Sequence, residues 1–315
     1  MPDADLVLEG GGVKGIGLVG AISVLEEHGY VIHRVAGTSA GAIVGALLAA
    51  GMTSTQLQEV MRSLDYARFE DKGFLDHLGL VGKGLSLLLE KGIYEGTYLR
   101  TWLAQQLEAQ GVRTFADLRR DDSESSLPPE EAFRLVVMAS DVSRGCLARL
   151  PWDYPRYGLD ASSQEVADAV RMSMSIPFFY EPVRLGDSWF VDGGMLSNFP
   201  VGALDRRDGK LPRWPTFGIK LSARPGANQV AKSFTGPVSF AKAMVGTMTN
   251  FHDQMHLDRP DVVDRTIFVD TGKVQATDFD LDRNAQDFLY ENGRAAARKF
   301  LDSWDFDAYV KRHRS

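Results

Sequence analysis

Gly10-Gly11-Gly12-Val13-Lys14-Gly15 and Gly37-Thr38-Ser39-Ala40-Gly41 are two glycine-rich corners within the first fifty residues, and the segments around them decide the fold. Leu6-Val7-Leu8 is a short apolar run that stops at the first corner. Ile16 to His28 carries apolar residues at helical spacing (Ile16, Val19, Ile22, Val24, Leu25). Val31 to Ala36 is apolar apart from His33-Arg34 and stops at the second corner. Ala42 to Ala50 is a near-continuous small and apolar helix. The pattern predicts strand, corner, helix, strand, corner, helix, with the two strands parallel. In such units ligands sit beyond the carboxyl ends of the strands, where both corners fall.

Gly37-x-Ser39-x-Gly41 on a strand-to-helix turn fits a nucleophile elbow, which needs small flanking residues and exposes the serine hydroxyl. The helix behind it favours developing negative charge. A plain helix N-cap by Thr38 or Ser39 fits the same residues. The first corner also has rival readings. It matches G-x-G-x-x-G, but a dinucleotide site also wants a carboxylate ending the second strand. Val35-Ala36 runs directly into Gly37 instead. A phosphate-binding Walker loop fails because Gly15, not Ser or Thr, follows Lys14. The remaining reading is an oxyanion loop, in which consecutive glycines let backbone N–H groups converge on one oxygen.

Further along stands Asp192-Gly193-Gly194, after Trp189-Phe190-Val191 and before Asn198-Phe199-Pro200. Gly-Gly-Gly-x-Lys-Gly, then Gly-x-Ser-x-Gly, then Asp-Gly-Gly, in that order, resembles the patatin-like phospholipases from about Leu6 to Val201. The resemblance implies a Ser-Asp dyad lipid acyl hydrolase. Its fold would be a three-layer α/β sandwich, with a central, mainly parallel sheet and helices on both faces. Ser39 would be the nucleophile and Asp192 its base. Gly10, Gly11 and Gly12 would form the oxyanion loop. Lys14, Gly15, Gly37, Gly41, Gly193 and Gly194 would complete the motifs. No cofactor or metal is implied, and the substrate would be a lipid or other acyl ester.

The chemistry sets its own condition. An ordinary aspartate titrates near ~3.9 and is a weak base toward a serine hydroxyl. It serves only in a partly dry site that raises its pKa, with charge moving onto an oxyanion as the proton moves. Trp189-Phe190-Val191 supplies an apolar approach to such a site. Taken alone, Asp192-Gly193 also reads as a surface turn.

Composition narrows the rest. The 315 residues fit one large domain or two small ones; the resemblance implies a single catalytic domain with a core over about 6–201, the remainder completing the sheet and packing helices. A net charge of −7 does not suggest nucleic-acid binding. Cys146 is the one cysteine, which excludes an internal disulfide framework and points to a reducing, cytoplasmic setting. It reads as a buried small hydrophobe. Met1 to Asp5 lacks the basic region of a signal peptide, and no apolar stretch approaches bilayer-spanning length, so contact with membrane would be peripheral.

Past the elbow, Thr53 to Leu64, Thr97 to Gln110, Gln164 to Ser175 and Gln286 to Trp304 read as helices. Phe133 to Ala139, Phe217 to Leu221 and Thr266 to Val269 read as strands, with Cys146 to Leu150 as a hairpin partner. Asp141 is the rival acid at a strand terminus. Arg119 to Glu131 reads as an exposed loop and Lys311-Arg312-His313-Arg314 as a frayed end. Asp71 to Gly96 is punctuated by glycines and reads as a flap or a packed loop, with Gly82-Lys83-Gly84 too short for a phosphate loop. Phe178 and Phe179 fit either an acyl pocket or the core. Phe240, Met244, Met248, Phe251 and Met255 form a helical stripe that fits core packing or an acyl channel. His252 and His256 stand four apart on that helix. They lack the glutamate of a zinc site, but would allow a conventional Ser-His-Asp hydrolase with Ser39 and Asp192. A lipid sensor without turnover is the non-enzymatic alternative.

Overall fold

The structure is a computed structural model that describes residues 1–64, 96–122, 125, 127–221, 247, 259–276, 278 and 281–314. The stretch 71–95, the stripe from Phe240 to Met255, and both His252 and His256 lie outside these residues.

The first corner separates strand β1 (Asp3–Leu8) from helix α1 (Gly15–Glu27), and the second separates β2 (Val31–Thr38) from α2 (Ala40–Ala49). β1 and β2 pair in parallel, as the apolar pattern requires. Leu6, Val7 and Leu8 are fully buried, as expected for a strand covered on both faces. α1 and α2 are apolar around their circumference and nearly every residue in them is buried. α3 (Ser54–Ser63) opens with a capping box, in which Thr53 and Gln56 satisfy each other's backbone N–H groups. α4 (Thr97–Ala109) follows.

The sheet then grows to both sides. β3 (Leu135–Asp141) lies parallel to β2, and β4 (Cys146–Leu150) returns antiparallel as the hairpin partner. Helix α5 (Val166–Ser173) leads to the antiparallel ribbon β5 (Val183–Leu185) and β6 (Ser188–Asp192). After the single-turn α6 (Gly194–Ser197), β7 (Thr216–Lys220) joins β1 in parallel. The short α7 (Pro260–Val263) precedes β8 (Thr266–Phe268), which extends the parallel run. α8 (Arg283–Leu301) and α9 (Phe306–His313) close the described chain. The result is an α/β fold with a central, mainly parallel sheet flanked by helices. Among the described residues no helix is long and apolar enough to cross a membrane.

The register on β3 positions the site. β4 occupies one edge of β3 over 137–141. β2 occupies the other edge only from Leu135 to Met138, where Thr38 is the last partner. β6 takes over that same edge from Ala139 to Asp141, running the opposite way, with Asp192 opposite Ala139. Two strands therefore meet end to end along β3, one finishing at Thr38 and the other at Asp192.

Two readings of the sequence need correction, and one strand was not read from it at all. The basic tail is not frayed: His313 ends α9, and both Arg312 (2.9 Å) and His313 (2.8 Å) hold Asp264. Arg314 reaches Asp205 at 2.9 Å. Cations in the last turn suit the negative end of the helix, and these pairs fix them. Cys146 is half-buried rather than buried. β5, with exposed Arg184 between two half-buried residues, had too little apolar pattern to be anticipated.

α1 and α8 cross with their backbones nearly in contact. A Cβ on Gly20 would stand 2.0 Å from the Tyr290 carbonyl oxygen, and one on Gly293 would stand 2.1 Å from the Gly17 oxygen. Arg294 seals the crossing by donating to Ser23 Oγ (2.7 Å) and Glu27 (2.8 Å). Gly20→Ala must push the helices apart and is expected to destabilise the protein by about 1–3 kcal/mol, read as a lowered midpoint in urea unfolding.

Candidate active site

Ser39 sits at the N-cap of α2 with φ 53° and ψ −123°. A non-glycine residue persists there only when its surroundings force it, and such strain clusters at functional turns. The turn is tight because α2 starts against β1: a Cβ on Gly41 would lie 2.3 Å from Leu8 O. Gly37, the last β2 residue before Thr38-Ser39, lies as close to Gly41. Thr38 Oγ1 donates to Ser197 O (2.9 Å), tying the elbow to the α6 turn. The Ser39 N–H donates to Ser173 Oγ (2.8 Å), so the elbow is held from α5 as well.

Asp192 ends β6 beside this turn. Its Oδ1 accepts from the Gly194 N–H at 2.6 Å. Its Oδ2 is buried with no hydrogen-bond partner. The Asp192 N–H donates to Ser175 O (2.8 Å) and the Gly193 N–H to Ser173 O (3.4 Å). The Ser39 hydroxyl is near enough to favour the charged carboxylate. Its own hydrogen bond, however, is directed at Met174 Sδ, 3.3 Å away, which leaves Oδ2 open. Burial pushes the Asp192 carboxyl up to about 6, against the weaker pull of the Gly194 N–H and the Ser39 hydroxyl.

The glycine loop passes alongside. The Gly10 N–H is taken up by Asn198 O (3.1 Å) and the Val13 N–H by Ala276 O (3.1 Å). The N–H groups of Gly11 and Gly12 have no partner among the described residues. Gly12 has φ +56° and a Cβ there would meet Ala276 O at 1.9 Å, so only glycine fits. Gly15 begins α1, its N–H accepted by Gly12 O. Asn198 Nδ2 donates back to Gly10 O (3.2 Å) and to Glu9 Oε1 (3.3 Å). Beneath the loop Glu9 is buried, bonded to Lys220 Nζ and the Leu221 N–H. Lys14 Nζ donates to Leu221 O (3.2 Å), and burial lowers its pKa against the pull of Glu9.

Ser39, Asp192 and the Gly10–Gly12 loop therefore come together from three separated stretches. Asp141, the rival acid, does not join them. It is buried at the far end of β3, accepting from the Ser143 and Arg144 N–H groups (2.9 and 3.0 Å) and the Tyr157 hydroxyl (3.1 Å). The described histidines are engaged elsewhere: His28 with Val24 O, His33 with Asp3 and His313 with Asp264. Phe178 and Phe179 are half-buried, and Phe179 packs edge-on against Tyr180. Met174 Sδ accepts the hydrogen bond of the Ser39 hydroxyl. Glu9, Ser173, Met174 and Asn198 carry no motif that marks them. The one available hint was Glu9, an acid closing an otherwise apolar strand. Among the described residues no group of three or more His, Cys, Asp or Glu could hold a metal.

The family model for patatin-like phospholipases matches residues 6–205, most of the chain and all three motifs. The chain belongs to this family. It is 36% identical to the uncharacterized protein YqhO of Bacillus subtilis, over 96% of this chain and 99% of that protein. A probable lipid hydrolase, 463L, of Invertebrate iridescent virus 6 is 25% identical over 62% of this chain and 61% of its own length. Lysophospholipase NTE1 of Debaryomyces hansenii is 24% identical over 65% of this chain, a match confined to 11% of that protein. The fold is like that of VipD from Legionella pneumophila, with a TM-score of 0.55 at 18% identity, covering 96% of this chain and 67% of that one. At that identity the likeness concerns fold alone.

A buried carboxyl raised toward 6 destabilises the fold once it ionises. In the unfolded chain it titrates near ~3.9. Below that pH both states are protonated and nothing is lost. As pH rises through the two values the folded state is penalised, by about 1–3 kcal/mol for a shift of this size. Asp192→Asn should therefore melt higher than wild type at pH 8, with the gap closing by pH 4 in thermal unfolding scans.

Proposed function

We propose that the chain is a serine lipid acyl hydrolase, of phospholipase A or lysophospholipase type, acting through a Ser39-Asp192 dyad. One observation carries this reading: β2 and β6 meet along one edge of β3, bringing the Ser39 turn beside a buried Asp192 oxygen that lacks a donor. Rotation of the Ser39 hydroxyl from Met174 to Oδ2 would place its proton on the base. Ser39 Oγ then attacks the ester carbonyl carbon while Asp192 takes the proton. The developing oxyanion rests on the Gly11 and Gly12 N–H groups, at the positive end of α1. Collapse breaks the ester bond and Asp192 returns the proton to the departing alcohol or lysolipid. Water next attacks the acyl-Ser39 carbonyl, with Asp192 accepting its proton, and Ser39 is released. The lipid substrate class is supported by family membership and by relatives named as a lipid hydrolase and a lysophospholipase. A lipid interface would then be met peripherally.

Purified wild type, Ser39→Ala and Asp192→Asn compared on short-chain esters and phospholipid vesicles test the reading. Turnover and fluorophosphonate labelling in wild type should vanish in Ser39→Ala. Turnover in Asp192→Asn should fall at least 100-fold with the fold intact. A folded wild type with no labelling and no turnover would support the lipid sensor instead. Replacing both His252 and His256 should leave activity in place, and its loss would favour a conventional triad.

The pH profile gives an independent check. Asp192 is a base only when ionised, so kcat/KM should fall about tenfold per pH unit below about 6. A rate flat from pH 8 to pH 4.5 would remove Asp192 from the base role.

A further inference from the structure

A second cleft opens at the amino ends of the parallel strands, away from Ser39. Its empty volume is about 640 Å3, open solvent included. Asp5 of β1 and Thr216 of β7 line it, with Arg34 of β2 between Asp5 and the Arg120–Asp122 loop. Arg34 is five residues before Ser39 along β2, or roughly 16 Å at 3.3 Å per residue. A ligand head held here does not reach the elbow.

The cleft is cationic in a chain of net charge −7. Arg34, Arg120, Arg206, Lys210, Arg213 and Arg314 line it against three carboxylates, Asp5, Asp122 and Asp205. Two of those carboxylates are shared between guanidiniums. Asp122 takes Arg120 (2.8 Å) and Arg213 (2.9 Å), and Asp205 takes Arg314 (2.9 Å) and Arg265 (2.7 Å). Asp5 takes Arg34 at 3.1 Å. Arg206 pairs with Asp208 (2.6 Å), and internal pairing still leaves positive charge in excess. Burial lowers the pKa of Arg120; Asp122 and Asp5 oppose it, and Arg34 and Arg213 add smaller lowering effects. Trp214 packs beneath Arg213 (4.4 Å from the ring centroid) and Arg120 (5.1 Å), which fixes both guanidiniums.

A second, independent feature lies on the floor. Asp5 is only 1% exposed, and its Oδ1 has no hydrogen-bond partner. Such an oxygen wants a donor. Fixed guanidiniums match phosphate oxygens in pairs, and a phosphomonoester carries close to two negative charges at neutral pH.

We propose that this cleft is a second binding site, separate from the acyl site, for a phosphomonoester that carries a nearby hydroxyl or amine. The arginines take the phosphate and Asp5 Oδ1 accepts from the ligand's donor. The same chemistry is offered by a free sugar or glycerol phosphate and by the headgroup of lysophosphatidic acid, whose glycerol keeps one free hydroxyl beside the phosphate.

Calorimetry with glycerol 3-phosphate and co-sedimentation with phosphatidylcholine vesicles, with and without lysophosphatidic acid, test the site and separate the two sources. Glycerol 3-phosphate should bind one to one and raise the melting temperature, or vesicles should be held only when they contain lysophosphatidic acid. Either result supports the site and names its source. The double variant Lys210→Ala and Arg213→Ala should weaken binding at least tenfold while keeping the wild-type melting temperature without ligand, and Arg213→Lys should recover part of it. Ser39→Ala should bind as wild type does. Absence of binding to both probes would overturn the proposal. So would binding unchanged in the folded double variant, or binding lost in Ser39→Ala.

Discussion

The structure depends on one handover along the edge of β3. β2 leaves that edge at Thr38 because the chain turns into α2, and β6 arrives from the opposite direction and stops at Asp192. Neither strand could continue without displacing the other. The constraint places Ser39, one residue past the last β2 rung, beside the rung of Asp192, although 153 positions separate them in sequence. Backbone hydrogen bonds thus set the approach, and side-chain rotation alone has to complete it. The Ser39 N–H to Ser173 and the Thr38 hydroxyl to Ser197 anchor the turn from two further elements, so the strained dihedrals have no easy route to relax.

The same geometry makes the site costly. Asp192 has one oxygen satisfied by Gly194 and one buried without a donor, an arrangement that a purely structural residue would avoid. The burial that weakens the fold also raises the carboxyl toward neutral pH, as the proposed base role requires. Beneath the glycine loop the opposite strategy applies. Glu9 is also buried, but it is surrounded by donors from Lys220, Leu221 and Asn198. Asn198 links both acids' neighbourhoods: it holds Gly10 from two sides and lies on the chain that leaves Asp192 through α6. The position of the Gly11 and Gly12 N–H groups relative to Asp192 is therefore set through one side chain and one backbone contact. Side chains that carry no reacting atom can still fix donor geometry to a fraction of an ångström.

The parallel core was legible because its residues obey simple periodicity. Leu6-Val7-Leu8, Val35-Ala36 and the all-apolar α2 admit few alternatives, and the glycine corners mark where the chain must turn. Ser39 and Asp192 were legible for a different reason: each stands in a short motif whose glycines answer a steric demand. Gly41, pressed against Leu8 O, and Gly12, at positive φ against Ala276 O, show that demand directly. What stayed hidden depends on partners remote in sequence. Arg314 looks like a loose basic end until Asp205 is found 109 positions away. Met174, beside the nucleophile, reads as one more core methionine. Asp141 and Asp192 both end apolar strands, and only the direction of β6 brings one of them, and not the other, to Ser39. Antiparallel insertion into a parallel sheet leaves no local signal, because strand direction is a property of the whole topology.

The two ends of the parallel strands are chemically opposed. At the carboxyl ends Ser39 faces backbone N–H donors, one acid raised by burial and the Met174 sulfur, while the charges of Glu9 and Lys220 pair with each other beneath the glycine loop. That environment suits an uncharged ester carbonyl and the transient charge it acquires. At the amino ends, Arg34 and Asp5 begin a network in which guanidiniums outnumber carboxylates and an indole holds two of them in place. Fixed charge of that density would be harmful beside Ser39, since it would hold the Asp192 proton off at every pH and make the carboxylate a poor base. Separation by half a strand length, with buried apolar residues such as Leu6 and Val35 between, lets one sheet keep a dry, weakly polar centre and a strongly cationic cleft without either disturbing the other.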